Sequence, residues 1–456
     1  MSKIRVRFAP SPTGRLHIGN ARIALVNYIF SYQNNGDFIL RIDDTDIERN
    51  KEIYIQGITD SLKWLGITFT KGPYFQSKRL KIYRDYAYSL IDKKNAYFCF
   101  CSEEDIRKEK QEAKKKNIPY RYSGKCRHLS KRETEENLNK KLPYVIRFKT
   151  TGQRIEFNDG IFGKMSFYDS EFGDFIILRS NGFPTYNFAS SIDDALFNIT
   201  HIIRGEDHLS NTPKQILILN SIDRNAPKFF HLPIILDRER RKFSKREEHL
   251  SIDYLKKMGI LPQAVCNFMA LLGWYCKREV LNMDDLIKNY NIHKVGKSGA
   301  VCDFDKLKWL NKKFMRILDN DIFIDSFSHY LNRNLNEREN RLALCLRDET
   351  NDLKQLNELI EVILKGSIFL AKKTKKNKNI VEKFIDFLSR FKGGEEKLKQ
   401  GLNGFLESSF FTKKDFYTLL RYILIGRREG VSISKLILCL GKDEILKRLN
   451  MWMYEV

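Results

Sequence analysis

Arg7-Phe8-Ala9-Pro10-Ser11-Pro12-Thr13-Gly14-Arg15-Leu16-His17-Ile18-Gly19-Asn20 is the stretch on which the reading of this chain turns. Ahead of it, Ile4, Val6 and Phe8 alternate with Lys3, Arg5 and Arg7, the period of a half-buried β-strand. Two prolines and a glycine then break the pattern. From Ala21 to Gln33 the residues Ile23, Val26 and Phe30 fall on one stripe, as on a helix. The order is strand, tight loop, helix, with His17 and Gly19 at the helix entrance. Free N–H groups and the dipole at a helix N-terminus favour phosphate, and a glycine lets backbone approach it closely. An ordinary strand-to-helix turn with an incidental histidine fits the same residue types.

Working outward, a second strand, Asp37–Ile42, ends in Asp43-Asp44-Thr45-Asp46, and helical patterns follow at Tyr54–Leu65 and Leu80–Lys94. Strands alternating with helices predict a parallel sheet, whose ligands sit at the carboxyl ends of its strands. The Pro10–Asn20 loop and the acidic run both lie at such ends, so they can face one crevice. The carboxylates fit a metal site, or a mixed role in which one meets a substrate amine and the others cap the next helix. From Ala96 to about Ser180 the alternation is interrupted, as by an insertion. It holds Cys99-Phe100-Cys101 and, further on, Cys126-Arg127-His128. Cys99, Cys101, Cys126 and His128 make two close pairs of thiolate and imidazole ligands, a set that can build a tetrahedral zinc site, with Tyr122 as a further candidate. Buried free thiols are the alternative. The Lys-rich helix between the pairs, Arg107–Lys116, reads as a solvated face able to touch RNA.

Alternation resumes at Phe175–Leu178 and runs through Pro184–Asp194 and Ile199–Ile203 to His231–Leu236. A basic loop follows, Asp237 to Arg246, containing Lys242-Phe243-Ser244-Lys245-Arg246. From Tyr254 onward the pattern is almost entirely helical. It includes a helix from Leu261-Pro262 through Leu272 and a basic interruption at Lys372–Lys378.

The chain has 456 residues, enough for two to four domains. Its 81 basic residues against 57 acidic give a net charge of +24. Such an excess fits a polyanionic partner, because Lys and Arg neutralise phosphates and release counterions; a general lysine bias is the rival reading. The first strand begins almost at Met1, so no secretory leader is expected, and the longest apolar run, Phe268–Cys276, is too short to span a membrane. The eight cysteines are therefore expected free or metal-bound in a reducing cytoplasm.

Taken together, the His17 loop and the basic loop resemble the paired nucleotide-binding motifs of class I aminoacyl-tRNA synthetases, named HIGH and KMSKS. Arg7–Gly14, Arg41-Ile42-Asp43-Asp44-Thr45-Asp46 and Ile203-Arg204-Gly205-Glu206-Asp207-His208 narrow the resemblance to the bacterial-type glutamyl-tRNA synthetases. It covers nearly the whole chain, with the motifs in the family's order. The resemblance implies an α/β Rossmann-type parallel-sheet catalytic domain in two halves, 1–95 and 181–236. An inserted acceptor-end-binding subdomain lies between them at 96–180. A stem-contact region at 237–322 and an all-α anticodon-binding half at 323–456 follow.

The implied reaction is ATP-dependent ligation of L-glutamate to tRNA through a glutamyl-adenylate, with transfer to the 3′-terminal adenosine. Its needs are ATP with Mg2+, and structural Zn2+ in those members that keep the metal. By resemblance His17, Gly19, Lys242 and Lys245 serve catalysis. Pro10, Ser11, Thr13, Gly14, His17, Gly19, Asn20, Asp207, Ile234, Ile235, Ser244 and Lys245 hold ATP. Arg7, Ala9, Ser11, Asp43, Tyr186, Ser190 and Arg204 hold glutamate. Arginine's planar fork matches a carboxylate, which accounts for Arg7 and Arg204; glutaminyl relatives have a small neutral residue where Arg204 falls. A structural ion pair of Arg204 with Glu206 is the competing reading. Two positions depart from the family pattern: Asp43 stands where most bacterial members have Glu, and Ser190 where Asn or Cys is common. The expected partners are a glutamate tRNA, or in some members mainly a glutamine tRNA, and the expected state is a cytoplasmic monomer. A catalytically inactive tRNA-binding paralogue is the alternative from another class, and loss of His17, Lys245 or Arg204 would mark it. A shortened relative that glutamylates a tRNA base lacks the C-terminal half and the lysine loop, both of which this chain has.

Overall fold

The computed structural model describes residues 3–46, 49–241, 248–365, 371–407, 412–428 and 430–454. Two compact units result, Met1–Tyr254 with Cys266–Asp303, and Leu255–Val265 with Phe304–Val456.

In the first unit the strands are β1 Arg5–Phe8, β2 Asp37–Ile42, β3 Lys71–Phe75, β4 Ala96–Cys99, β5 Val145–Phe148 and β6 Arg154–Asp159. They continue as β7 Gly163–Tyr168, β8 Phe175–Leu178, β9 His201–Gly205, β10 Lys228–Leu232, β11 Ile235–Leu236 and β12 Ala300–Val301. The helices around them are α1 Ile18–Gln33, α2 Glu52–Trp64, α3 Leu80–Asp92, α4 Glu103–Lys115, α5 Lys131–Asn139, α6 Tyr186–Leu196 and α7 Thr212–Ser221. β1, β2 and β3 are parallel neighbours, with Arg7 opposite Ile39. β9 and β10 are parallel, and the β6–β7 hairpin extends that sheet beyond β10. The N–H of Thr200 donates to the carbonyl of Arg5 at 3.0 Å, which sets β9 beside β1. The expected parallel α/β core is therefore present.

β1 departs from the expected half-buried strand. Val6, Arg7 and Phe8 are all buried, because a central parallel strand is covered on both faces. Alternating arginine read as a solvent face, yet Arg7 lies inside, paired with a carboxylate.

The interruption at 96–180 is present as an antiparallel sheet, β4-β5-β8, and between β5 and β8 in sequence the β6–β7 hairpin leaves it to join the catalytic sheet. Its helices α4 and α5 bury no residue and are held by capping boxes, Ser102 with Asp105 and Ser130 with Glu133. α4 is the solvated Lys-rich helix expected from the sequence.

The second unit is helical. Leu353–Lys365 buries Leu353, Leu356, Leu359, Ile360 and Ile363 at the three-to-four-residue spacing of one face. The basic run Lys372–Lys378 lies partly between helices: 372–374 are non-helical, and helix Lys375–Arg390 begins within the run, capped by the Thr374 hydroxyl, which accepts from the N–H of Asn377. Helices Glu337–Leu346 and Ile433–Leu440 pack so that Cys345 and Cys439 form a disulfide across 94 residues. The expectation that every thiol is free or metal-bound therefore fails for this pair; Cys99, Cys101, Cys126, Cys266, Cys276 and Cys302 are unbridged. Among the described residues no helix is long and apolar enough to cross a membrane.

Candidate active site

The loop after β1 is a succession of tight turns. The N–H of Thr13 donates to the carbonyl of Ser11, and the N–H of Asp43 to that of Pro10 at 3.0 Å, joining the ends of β1 and β2. His17 then caps α1: its Nδ1 accepts from the N–H of Gly19 at 3.1 Å. In the neutral ring the hydrogen therefore sits on Nε2, leaving the exposed imidazole a donor. Glycine at 19 is a steric need, since a Cβ there would stand 2.9 Å from Cε1 of His17. Arg22, wholly buried on α1, donates to the carbonyls of Pro233 and Leu272, so the helix is tied to the segment preceding Ile234 and Ile235.

The lysine loop is flanked on both sides by described residues, while Lys242, Ser244 and Lys245 lie outside them. Before it, Asp237 closes a turn by accepting from the backbone and the guanidinium of Arg241. After it, Ser251 forms a β-bridge with His17, and the N–H of Ile252 donates to the carbonyl of Leu16 at 2.9 Å. Arg15 adds an exposed ion pair with Asp253. Segments more than 230 residues apart in sequence thus meet at the entrance of α1. Ser11 and Thr13 are exposed on the same loop, while Gly14 and Asn20 are half-buried. Asp207 is exposed on the turn after β9, and the carbonyl of Ile234 is taken by the N–H of Ala300 as β11 pairs with β12.

Below the loop lies a buried charge network. Arg41 holds Asp43 in a two-pronged pair, at 2.6 and 3.0 Å, and reaches Asp194 at 2.7 Å and the Ser190 hydroxyl at 3.0 Å. Arg7 pairs with Asp194, and Arg79 with Asp193, which also accepts from Gln76 and Tyr83. Arg7, Arg41 and Arg79 are thereby balanced by Asp43, Asp193 and Asp194. Burial opposes ionisation of Asp194, but the charges of Arg7 and Arg41 hold its carboxyl below the ordinary value. Burial pushes Asp43 up to about 6 in spite of Arg41. Ser190 is buried, with its hydroxyl against Arg41. One sequence reading changes here. Asp44 and Asp46 do not cap α2: Asp44 accepts from the backbone and hydroxyl of Ser77, Asp46 pairs with Arg49, and the cap position, Lys51, makes no side-chain bond.

Arg204, at the end of β9, is different. It is 4% exposed, and its hydrogen-bond partners are the Nε2 of His231, the Oε1 of Gln215, the hydroxyl of Thr212 and the carbonyl of His208. All are neutral, and among the described residues no carboxylate, Glu206 included, lies within ion-pair distance; Tyr186 and, from farther off, Asp194 favour its charge without offsetting the burial. Burial drags its guanidinium below the ordinary value, whereas Arg41, among carboxylates, is held well above it. Tyr186 stands nearby, half-buried, its ring 5.1 Å from that of His208. Half-buried Ala9 lies on the loop that follows β1.

In the insertion, the sulfurs of Cys99, Cys101 and Cys126 lie within 4.8 Å of one another. The hydroxyl of Tyr122 is 3.3 Å from two of them. Hydrogen bonds from Cys126 first, then from Tyr122 and Arg147, hold the Cys99 thiol well below its ordinary value. His128 is exposed and stands outside the cluster. The hydroxyl of Tyr122, which also accepts from the N–H of Cys126, is the further donor beside the three sulfurs.

Several of these residues lacked a sequence signal of their own. Arg22, Asp159, Asp193, Asp194 and His231 sit inside helices and strands whose periodicity marks them only as buried or exposed. The adjacent acids Asp193-Asp194 on an otherwise apolar helix face were the one hint available.

Residues 3–309 match the family described as tRNA synthetases class I (E and Q), catalytic domain, and residues 322–453 match an anticodon binding domain. The chain is 40% identical over 461 residues to a glutamate–tRNA ligase of Hydrogenobaculum sp. (strain Y04AAS1), covering 98% of this chain and 99% of that one. A glutamate–tRNA ligase of Aquifex aeolicus is also 40% identical, with 98% of each chain covered. A crystal structure of a glutamate tRNA ligase from Elizabethkingia meningosepticum, solved with its amino acid, superposes with a TM-score of 0.83 at 28% identity over the whole of both chains. With the strand-loop-helix site, the helical second unit and these matches in agreement, the chain belongs to the class I tRNA synthetases of the E and Q family.

Proposed function

We propose that this chain ligates L-glutamate to tRNA at the expense of ATP. One observation carries the choice of amino acid: Arg204 is a buried cation whose protein partners are all neutral. Burying a charge without a counter-charge costs several kcal/mol, roughly, unless a ligand supplies it. The side-chain carboxylate of glutamate is that counter-charge. Arg7, already paired with Asp194, offers the rest of its fork to the second carboxylate, with Tyr186, Ser11 and Ala9 forming the wall. Asp43 is assigned to the substrate amine, because a carboxylate gripped by one arginine retains acceptor sites.

In the first step a glutamate oxygen attacks the α-phosphorus and pyrophosphate leaves. No enzyme nucleophile is required, so catalysis rests on positioning and on donors placed where charge develops. The Nε2–H of His17, the backbone around Gly19, and Lys242 and Lys245 suit that task. Mg2+ would come bound to the phosphates of ATP. In the second step the acyl group passes to a hydroxyl of the terminal adenosine, and the adenylate phosphate can accept the proton.

The cluster of Cys99, Cys101, Cys126 and Tyr122 fits a tetrahedral zinc ion in donor type and spacing. Bound there, zinc would cross-link the loops of the insertion, which we assign to the acceptor end of the tRNA. In the helical unit a cavity of about 450 Å³ is lined by Lys413, Lys414, Tyr417, Thr418, Arg421 and Arg428. Cations around one aromatic ring suit phosphates and a stacked base, as an anticodon loop presents them. A glutamate tRNA, a monomeric state and a cytoplasmic site of action complete the reading.

The test is glutamate-dependent exchange between ATP and pyrophosphate, with and without added tRNA, followed by charging of purified glutamate and glutamine tRNAs. Exchange with glutamate but not glutamine is expected. No exchange under either condition from folded protein would instead make the chain an RNA-binding module. Lys245→Ala should slow activation by roughly two orders of magnitude or more, as loss of a transition-state cation does.

A further inference from the structure

Arg204 does not choose its own orientation. On the far side of its guanidinium stands His231, wholly buried on β10, and beyond that Asp159, at the end of β6. Asp159 Oδ1 accepts from the backbone N–H groups of Ile161 and Phe162, both at 2.9 Å. Its Oδ2 lies 2.6 Å from Nδ1 of His231. A carboxylate can only accept, so the hydrogen of the imidazole must sit on Nδ1. Nε2 is then a lone pair, and it receives the Nε–H of Arg204 at 3.1 Å, with the Thr212 hydroxyl at the same distance. Either error, the other tautomer or a second proton, would set N–H against N–H.

We infer that His231 and Asp159 are positioning residues for amino-acid recognition: Asp159 fixes the tautomer of His231, and His231 in turn fixes the plane of the Arg204 fork that meets the glutamate carboxylate. The inference rests on Arg204 being that reader. The charged groups around His231 are consistent with a neutral ring. Burial lowers its affinity for a proton, Arg204 and Arg7 act in the same sense, and Asp159 alone opposes them strongly. His208, on the turn after β9, is a neighbour held neutral in the same way. Asp159 belongs to the β6–β7 hairpin, so the pocket's reader is braced from the inserted segment as well as from the core sheet.

Asp159→Asn is the informative change, because it is nearly isosteric. The backbone donors of Ile161 and Phe162 on Oδ1, both at 2.9 Å, demand an oxygen there, so the new amide nitrogen must take the place of Oδ2, where it also gives up the longer bond from the N–H of His231 at 3.2 Å. It would then donate to Nδ1, move the ring hydrogen to Nε2, and turn a donor on Arg204. His231→Gln has no tautomer to lose and can still offer Arg204 an oxygen. Charging kinetics with the full chain decide the matter. Asp159→Asn should raise KM for glutamate about tenfold or more, as a misplaced binding group does, while KM for ATP stays within about twofold. His231→Gln with Asp159 intact, its amide nitrogen donating to Asp159 and its oxygen accepting from Arg204, should keep KM for glutamate within about threefold of the parent. KM for glutamate unchanged in Asp159→Asn, KM for glutamate and ATP rising together, or His231→Gln as impaired as Asp159→Asn would each overturn the inference. Arg204→Met in parallel separates the two levels. If it raises KM for glutamate and Asp159→Asn does not, the relay alone is wrong. If it leaves that KM unchanged, the reading of Arg204 falls, and the relay falls with it.

Discussion

The N–H of Ile252 donates to the carbonyl oxygen of Leu16 at 2.9 Å, and this bond ties the chain beyond the lysine loop to the residue before His17. The segment that follows the lysine loop is therefore anchored at the entrance of the helix that His17 caps. The turn we propose to face the triphosphate is fixed by backbone bonds, and His17 is oriented by its own cap.

That cap gives a first prediction. Gly19→Ala places a methyl 2.9 Å from Cε1 of His17, so the ring must swing off its bond to the N–H of residue 19. Displacing a catalytic group by about 1 Å can cost up to about 100-fold, so a fall in kcat for pyrophosphate exchange of tenfold or more is expected. The melting temperature should be little changed. An alanine variant with parental kcat would remove His17 from the reaction.

Two buried arginines should respond oppositely to removal. Arg41→Met leaves Asp43 and Asp194 without their shared cation, at a cost of about 3–5 kcal/mol to the catalytic unit. Arg204→Met removes a charge that has no carboxylate partner, so ligand-free stability should change by no more than about 1–2 kcal/mol. Urea unfolding of the two variants without substrates makes the comparison. Equal losses would mean that Arg204 has a protein counter-charge.

Stability should fall with acid in two stages. His201 and His231 are buried, and burial holds both below the ordinary value of 6.5; burial, with the Arg204 charge adding to it, brings His208 down to about 4. The unfolded chain takes up these protons as pH drops through 6.5 while the folded chain does not, so stability is lost from there downward. The pair-held carboxylates of Asp37, Asp159 and Asp194 have the opposite origin and the same sign. Lowered when folded, they contribute above their ordinary value of 3.8 and lose that contribution below it. Denaturant midpoints measured from pH 7.5 to 3.5 should begin to slope near pH 6.5. A flat profile down to pH 5 would contradict neutral buried histidines.

Metal content separates the two candidate fourth ligands. Cys101→Ser should abolish or strongly reduce bound zinc, Tyr122→Phe should weaken it, and His128→Ala should leave the stoichiometry unchanged. Removing one ligand or its support commonly costs about 10- to 100-fold in affinity, enough to read by competition with a chelator. Loss of zinc in His128→Ala with retention in Tyr122→Phe would restore the histidine.

The sequence by itself determined the strand, loop and helix around His17, the acidic run after β2, the inserted segment, the C-x-C pair and the helical second half. Each of these is a local pattern: a period of two or of 3.6, a turn residue, or ligands a few positions apart. Only the tertiary structure decided which charges meet. Arg41 is joined to Asp194 across 153 residues, Arg7 to Asp194 across 187, and His231 to Asp159 across 72. The Cys345–Cys439 disulfide spans 94. An arginine on a strand reads alike whether it faces water, a buried acid or an unpaired pocket, because residue type sets what a side chain can bond and not what folding brings within 3 Å. The same limit left His128 and Tyr122 as equal candidates beside the cysteines: the fold sets the phenol against the sulfurs and leaves the imidazole exposed.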